Sequence, residues 1–129
     1  MKAITNGAIG ELLAARMLRD KGYRILASNY RSRFGEIDIV AADETYIVFA
    51  EVKTRGPNAL FTPREAVGRE KQARILRTAQ LFLQQMPTDL QPRFDVVEVW
   101  LPDPPQYLAC EEINHIMGAF SFDDRPGML

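Results

Sequence analysis

This chain of 129 residues has a single cysteine, a single histidine and no long apolar run. One cysteine, Cys110, excludes an internal disulfide, and this scarcity is typical of proteins in a reducing compartment. One histidine, His115, excludes a metal site built from several imidazoles. No apolar run reaches the roughly 18 residues that span a membrane, and Glu11 interrupts the N-terminal segment where a secretory signal would lie. We therefore expect a cytoplasmic protein with no membrane partner.

Internal repeats, low-complexity tracts and long linkers are also missing, which favours one domain. We assign residues 1–122 to it and expect residues 123–129 to form a flexible tail. The net charge of −1 argues against a strongly basic nucleic-acid binder. The charge is unevenly distributed, however: residues 1–80 carry 14 Lys and Arg against 9 Asp and Glu, and residues 81–129 carry 2 against 8. The basic part can attract phosphate groups whatever the total charge.

Hydrophobic periodicity predicts alternating helices and strands. A first helix is predicted over residues 7–21 and a second over 62–86, with a break near Gly68. A short closing helix is predicted over 114–120. Strands are predicted at 23–30, 36–43, 45–53, 93–101 and, at an edge of the sheet, 107–113. This order predicts an α/β fold with a mixed four- or five-stranded sheet flanked by helices.

Three charged residues interrupt the apolar hairpin formed by the second and third strands. Asp38 lies in the first of these strands, and Glu51 and Lys53 lie in the next. Because side chains alternate between faces, a tight two-residue turn places Asp38 opposite Phe49, on the same face as Glu51 and Lys53. Glu51 is then a diagonal neighbour of Asp38, at a backbone distance of about 7–8 Å.

Two carboxylates directed at one point repel each other unless a proton or a cation lies between them. Mg²⁺ or Mn²⁺ would remove this repulsion, because Mg²⁺ commonly binds one or two carboxylates and leaves positions open for a substrate phosphate. Lys53 would orient the attacking water or stabilise the transition state, so the set favours phosphodiester hydrolysis. Glu11 lies on an apolar line of the first helix and would support this site. The alternative for Glu11 is a first-turn acid favoured by the helix dipole.

The pattern D-x(12)-E-x-K on adjacent strands, after a helix that carries an acid, resembles the PD-(D/E)XK nuclease superfamily, which includes restriction endonucleases and Holliday-junction resolvases. More closely, the chain resembles the YraN-like family of small bacterial proteins. The resemblance covers about residues 7–120. Its blocks are "GAIGELLAARMLRDKGYRILASNYRSRFGEIDIVAAD", "VFAEVKTR", "EAVGREKQARILRTAQLFL", "RFDVVEV" and "INHIMGAF". It implies a restriction-endonuclease-like core.

The resemblance also implies roles for individual residues. Asp38, Glu51 and the carbonyl group of Val52 would bind the metal, and Lys53 would be the catalytic lysine. Glu11 would correspond to the acid of the first helix.

Candidate nucleic-acid-binding residues are Arg31, Arg55, Lys71 and Gln72. By the resemblance, Lys71 or Gln72 would occupy the place where many superfamily members keep a phosphate-facing polar residue. The alternative for Gln72 is a buried amide with local partners.

Three functions remain open at the level of sequence. The first is a Mg²⁺- or Mn²⁺-dependent nuclease, or a protein derived from one, acting on DNA or RNA. The second is a non-catalytic module that binds nucleic acid or a partner and retains the nuclease fold. The third is a structural domain in which Asp38, Glu51 and Lys53 form a buried ion network. Because enzymes that cut two strands are often two-fold symmetric, a homodimer is an alternative to a monomer.

Overall fold

The computed structural model describes residues 5–56, 67–102 and 112–122. The described residues form two helices and five strands: α1 (Asn6–Asp20), β1 (Arg24–Arg31), β2 (Glu36–Ala42), β3 (Tyr46–Arg55), α2 (Arg69–Gln85), β4 (Gln91–Trp100) and β5 (Glu112–Phe120). Four features of the sequence lie outside the described ranges: the predicted helix start at Thr62, the single cysteine Cys110, most of the predicted strand 107–113, and the predicted tail.

The strands form one sheet in the order β1-β2-β3-β4-β5. The central pair, β3 and β4, is parallel, and every other pair of neighbours is antiparallel. Helix α2 lies between β3 and β4 in the chain, where a crossover is needed to return the chain in the same direction. The predicted α/β class with a mixed sheet is confirmed, and the arrangement is consistent with a restriction-endonuclease-like core.

The two helices cover opposite faces of this sheet, which buries apolar side chains on both sides. Helix α1 packs Leu13 and Leu18 into the cluster that contains Val48 and Val97. Helix α2 packs the buried residues Ile75, Leu76 and Phe82 into a second cluster with Phe49, Phe94 and Val96. The central strands are therefore apolar on both faces, as expected for strands with a helix on each side.

Local signals in the sequence set the helix ends. The Thr5 hydroxyl caps α1 by accepting a hydrogen bond from the Ala8 N–H at 3.1 Å. Gly22, at φ 99°, ends the helix in a backbone conformation that favours glycine. Gly68 is the N-cap of α2, which agrees with the predicted break. Neither described helix is long and apolar enough to cross a membrane.

The predicted closing helix over 114–120 is wrong, because these residues belong to edge strand β5. The apolar spacing explains the error. Ile113 packs on the α1 side of the sheet and Ile116 on the α2 side, as the alternation along a strand requires. Their spacing of three residues resembles that of a helix. The register between β4 and β5 shifts only beyond Ile116, near Gly118 at φ 62°, where three residues of β5 lie opposite one residue of β4.

Candidate active site

The turn between β2 and β3 sets the register of the hairpin. One carboxylate oxygen of Asp43, Oδ1, accepts hydrogen bonds from the N–H groups of Thr45 at 2.8 Å and Tyr46 at 2.7 Å. This Asx-type turn makes Asp43 and Tyr46 the last pair, with the backbone N–H of Asp43 donating to the Tyr46 carbonyl at 3.0 Å. The two loop residues are therefore Glu44 and Thr45, one position later than predicted.

This register brings the two candidate metal ligands closer than predicted. Phe49 lies opposite Val40, so the expected pairing of Asp38 with Phe49 is wrong by two residues. Ala50 lies opposite Ile39, which places Asp38 level with Glu51. Because a shift of two residues preserves the face, Asp38 and Glu51 still share one side of the sheet. The Asp38 carboxylate accepts a hydrogen bond from the Val52 N–H at 2.8 Å, across the same strand pair.

Asp38 and Glu51 line a cleft of about 340 Å³ at this end of the sheet. The other lining residues are Gly35, Glu36, Lys71, Arg74 and Ile75. The turn before β2 and the first turns of α2 therefore form the walls, and the two carboxylates lie on the floor.

Two lysines meet the buried carboxylate of Glu51, which is only 6% exposed. Lys53 Nζ lies 3.4 Å from Glu51 Oε1, and Lys71 Nζ is in close ionic contact with the same oxygen. Lys71 was predicted as a phosphate-facing residue, and the structure places it in the cleft beside the candidate catalytic lysine. That proximity depends on the packing of α2 against β3, and no spacing in the sequence indicates it.

Burial and a neighbouring like charge both act on the pKa of Asp38. Burial raises its pKa first, and the negative charge of Glu51 raises it further, to about 7. The hydrogen bond from Val52 opposes these effects without cancelling them. Among the described residues, Glu51 therefore has two lysines in ionic contact with it, whereas Asp38 has none.

The two lysines have opposite pKa shifts. Burial and a hydrogen bond with Lys71 lower the pKa of Lys53. Burial also opposes the charge on Lys71, but its hydrogen bonds with Glu51 and Lys53 outweigh burial and raise its pKa. Lys71 is thus the more persistent cation of the pair, and Lys53 is the amine that gives up a proton more readily.

Glu11 reaches the same region from the other helix. It is partly exposed, and its carboxylate is hydrogen-bonded by the side chain of Asn29. Burial is the main cause of its raised pKa, with the charges of Glu36 and Glu51 adding to it. The charge of Glu11 also contributes to the raised pKa of Asp38, so the two acids are within electrostatic range.

Asn29 is a residue that sequence reasoning missed. It lies in β1 between the pairs Ser28–Ile39 and Tyr30–Ile37, level with Asp38, yet it has φ 53°. Asparagine tolerates this left-handed conformation better than most residues and is depleted in strands. An asparagine inside a predicted strand was therefore the available signal. Its conformation directs an amide to Glu11.

The donor set fits a hard divalent cation. In the described ranges, no group of three or more His, Cys, Asp or Glu side chains is arranged to hold a metal ion. Two carboxylates are nevertheless enough for Mg²⁺ or Mn²⁺, which retain water and accept substrate oxygens, whereas a structural Zn²⁺ site needs four protein ligands. Burial and the charge of Glu51 raise the pKa of Asp38, and a cation between the two carboxylates would reduce their repulsion. The metal role of the Val52 carbonyl stays a prediction.

The remaining nucleic-acid candidates lie around this cleft or beside it. Arg31 is exposed and lies 3.7 Å from Glu36 in a surface ion pair. Gln72 donates a hydrogen bond to the Val67 carbonyl at 2.8 Å, so its amide has the local partner that was the alternative interpretation. Arg55 follows Lys53 on the same face of β3. Their binding roles stay predictions.

A second buried aspartate contrasts with Asp38. Asp95 is fully buried and accepts hydrogen bonds from Arg93, His115 and the Gly118 N–H at distances of 2.7–3.0 Å. Burial opposes its ionisation, but the hydrogen bonds from His115 and Arg93 outweigh burial and lower its pKa. Asp95 therefore has the partners of a structural carboxylate, whereas Asp38 does not.

Comparison with known proteins places the chain among close relatives. The Uncharacterised protein family UPF0102 matches residues 10–99. A UPF0102 protein of Caldanaerobacter subterraneus is 44% identical over 117 residues, covering 90% of this chain and 94% of the relative. A UPF0102 protein of Alkaliphilus oremlandii is 50% identical over 117 residues, covering 88% and 96%. The resemblance to the YraN-like family is thereby confirmed, and the chain belongs to the UPF0102 family.

Proposed function

We propose that this protein is a metal-dependent nuclease that hydrolyses phosphodiester bonds in DNA or RNA. The observation that carries the proposal is the meeting of Asp38, Glu51 and Lys71 in one cleft, with Lys53 in contact with Glu51 and the pKa of Asp38 raised to about 7. A purely structural network would be expected to satisfy both carboxylates, as the partners of Asp95 do.

Asp38 and Glu51, with the carbonyl group of Val52, would hold one Mg²⁺ or Mn²⁺. When bound, such an ion supplies an acidified water and neutralises the charge that develops on the phosphate oxygens. The protein would contribute few ligands, which leaves room for the substrate phosphate and for water.

The lysines have separable roles in this proposal. Lys53, whose pKa is lowered, would hold the attacking water by a hydrogen bond and accept its proton. Lys71 remains charged and would donate to a non-bridging oxygen of the phosphate, leaving Glu51 free to bind the cation. Glu11, held by Asn29, would orient a water on the far side of Asp38.

A specific observation supports the second candidate, a module that binds nucleic acid or a partner without turnover. Lys53 and Lys71 both meet Oε1 of Glu51, so this carboxylate is neutralised without a metal. In that case the cleft would bind phosphate through Lys71 in the absence of divalent cations.

A cleavage screen separates the two candidates. Single-stranded, duplex and branched DNA, and single-stranded RNA, are incubated with Mg²⁺ or Mn²⁺ and wild type, Asp38→Asn or Lys53→Met. We expect at least one substrate to be cut, and each substitution to reduce the rate by about 100-fold or more. The matched control is Glu44→Gln, which removes an exposed acid from the β2–β3 turn, away from the cleft, and should cut at the wild-type rate.

The opposite results are equally clear. Cleavage that survives Asp38→Asn unchanged contradicts the proposed site. Binding of nucleic acid in EDTA, with no cleavage of any substrate in either metal, supports the non-catalytic module. Thermal unfolding of each variant shows whether a lost activity reflects a lost fold.

A further inference from the structure

Buried polar atoms without partners lie next to the candidate site. They are Nε and Nη2 of Arg55, Nε1 of Trp100 and Oε2 of Glu98, and none has a hydrogen-bond partner among the residues that the structure describes. Buried polar groups in folded proteins are nearly always paired, so four such atoms near one another need a physical reason.

The strand register gathers these residues on one face. In the parallel pair, Arg55 lies beside Trp100 and Lys53 lies beside Glu98. Alternation along β3 puts Glu51, Lys53 and Arg55 on the same side of the sheet. The unpaired atoms therefore belong to residues on the same face of the sheet as Glu51, nearer the carboxyl ends of β3 and β4. In open α/β sheets, the carboxyl ends of parallel strands are where ligands usually bind.

The unpaired nitrogen atoms of Arg55 and Trp100 are all hydrogen-bond donors, which favours an anionic ligand. Nε and one terminal nitrogen form an edge of the guanidinium group that binds phosphate with two parallel hydrogen bonds. The indole N–H of Trp100 is a donor only. Three unpaired donors on two paired residues of adjacent strands match the oxygens of a phosphate group.

Glu98 adds one acceptor beside these donors. It is 3% exposed, and its Oε1 accepts a hydrogen bond from the Asn114 amide at 2.9 Å, which leaves Oε2 unpaired. A carboxylate oxygen in this position repels phosphate but accepts from a hydroxyl or an amino group. A nucleotide offers both kinds of partner, a phosphate and an adjoining sugar hydroxyl or base amine.

We infer that Arg55 and Trp100 form a subsite for a second phosphate of the nucleic-acid strand, adjacent to the one that is cut, and that Glu98 binds the adjoining sugar or base. The inference rests on the proposed function for the identity of the ligand as a nucleic-acid strand. It assigns to the guanidinium group of Arg55 a pair of parallel hydrogen bonds to one phosphate, which the ammonium group of a lysine cannot form.

Trp100 provides the assay because it is the only tryptophan in the chain. Its emission is followed while inorganic phosphate or a single-stranded oligonucleotide is added in EDTA. We expect a saturable change with both ligands in the wild type. Arg55→Lys keeps the charge but should weaken binding by about tenfold or more, because the paired hydrogen bonds are lost. Arg19→Lys, the same substitution at an exposed site on α1, should bind as the wild type does.

A second variant tests the indole N–H by a different readout. Trp100→Phe retains an aromatic ring and should weaken binding of a labelled oligonucleotide, measured by fluorescence anisotropy. Unchanged Trp100 emission with both ligands overturns the subsite, as does wild-type affinity in Arg55→Lys.

The two proposals fail in distinguishable ways. Cleavage that needs Asp38 and Lys53, with a KM unaffected by Arg55→Lys, overturns the subsite alone. Binding that depends on Arg55, without cleavage in any metal, overturns the nuclease and leaves the phosphate subsite standing.

Discussion

The contact between α1 and β3 leads to a sharp prediction for Gly10→Ala. A Cβ atom added at Gly10 would lie 1.9 Å from Thr54 Oγ1 and 3.2 Å from Thr54 Cγ2. Either the helix must move outward or Thr54 must leave its position. Since Glu11 follows Gly10 directly, an outward movement would also draw Glu11 away from Asp38.

The magnitude follows from two opposing effects. Forcing a methyl group into a packed contact costs about 1–3 kcal/mol, whereas replacing glycine by alanine inside a helix stabilises it by up to about 1 kcal/mol. We expect Gly10→Ala to lower the free energy of unfolding by about 1–2 kcal/mol. Urea unfolding followed by far-UV circular dichroism measures this change, and cleavage of nucleic acid should fall with it.

Two variants isolate the cause. Gly7→Ala is the matched control in the same helix, because its Cβ would meet only Thr5 Oγ1, at 3.9 Å, and it should be at least as stable as the wild type. Adding Thr54→Ala to Gly10→Ala removes the clashing atoms and should recover stability, with a favourable coupling of about 1 kcal/mol. If Gly10→Ala is as stable as the wild type, or if the two substitutions are simply additive, the close contact is not as described.

Two further predictions concern the other carboxylates. Asp95→Asn should lower stability at neutral pH by about 1–3 kcal/mol, since it removes the carboxylate that pairs with the partly buried charge of Arg93. Folding lowers the pKa of Asp95, so the ionised carboxylate stabilises the fold at a pH above its unfolded-state pKa, and this stabilisation is lost as the pH falls through the folded-state pKa. The stability of Asp95→Asn should therefore fall less steeply on acidification than that of the wild type. Urea unfolding at a series of pH values measures the difference. Asp43→Ala removes two hydrogen bonds from the hairpin turn and should cost about 1–2 kcal/mol. Glu44→Ala, at the next loop position, should change thermal stability little, and equal effects of the two would contradict the role of Asp43.

The sequence predicted which face of the sheet a strand residue occupies better than it predicted which residues lie opposite each other on neighbouring strands. Alternation along strands was enough to place Asp38 and Glu51 on one side of the sheet. Which residue lies directly opposite Asp38 depends on the side chain of Asp43, whose hydrogen bonds move the turn by one residue. The alternation of apolar residues along the strands is the same for either turn and does not predict which one forms. The apolar residues of β5 likewise suggested a helix, because Ile113 and Ile116 pack on opposite faces of the sheet and are therefore separated by three residues, a spacing that also occurs on one face of a helix.

The contact of Lys71 with Glu51 could not be predicted from the sequence, for a different reason. It comes from a separate element, and its contact with Glu51 is set by how α2 packs on the sheet. Glu11 could be placed on a line of its helix, but its partner Asn29 depends on a left-handed residue within β1. Local patterns thus predicted which residues are candidates for the site, while tertiary packing decided which of them meet.

The contrast between the two buried aspartates gives the account its central claim. Asp95 has its positive partners within the protein, whereas Asp38 faces Glu51 with a raised pKa and no paired cation of its own among the described residues. The most direct test is calorimetric titration of Mn²⁺ into the metal-free protein at neutral pH. The account predicts one binding site that is abolished by Asp38→Asn and retained in Glu44→Gln, which removes an exposed acid from the β2–β3 turn. Absence of binding to the wild type, or equal binding to Asp38→Asn, would contradict it.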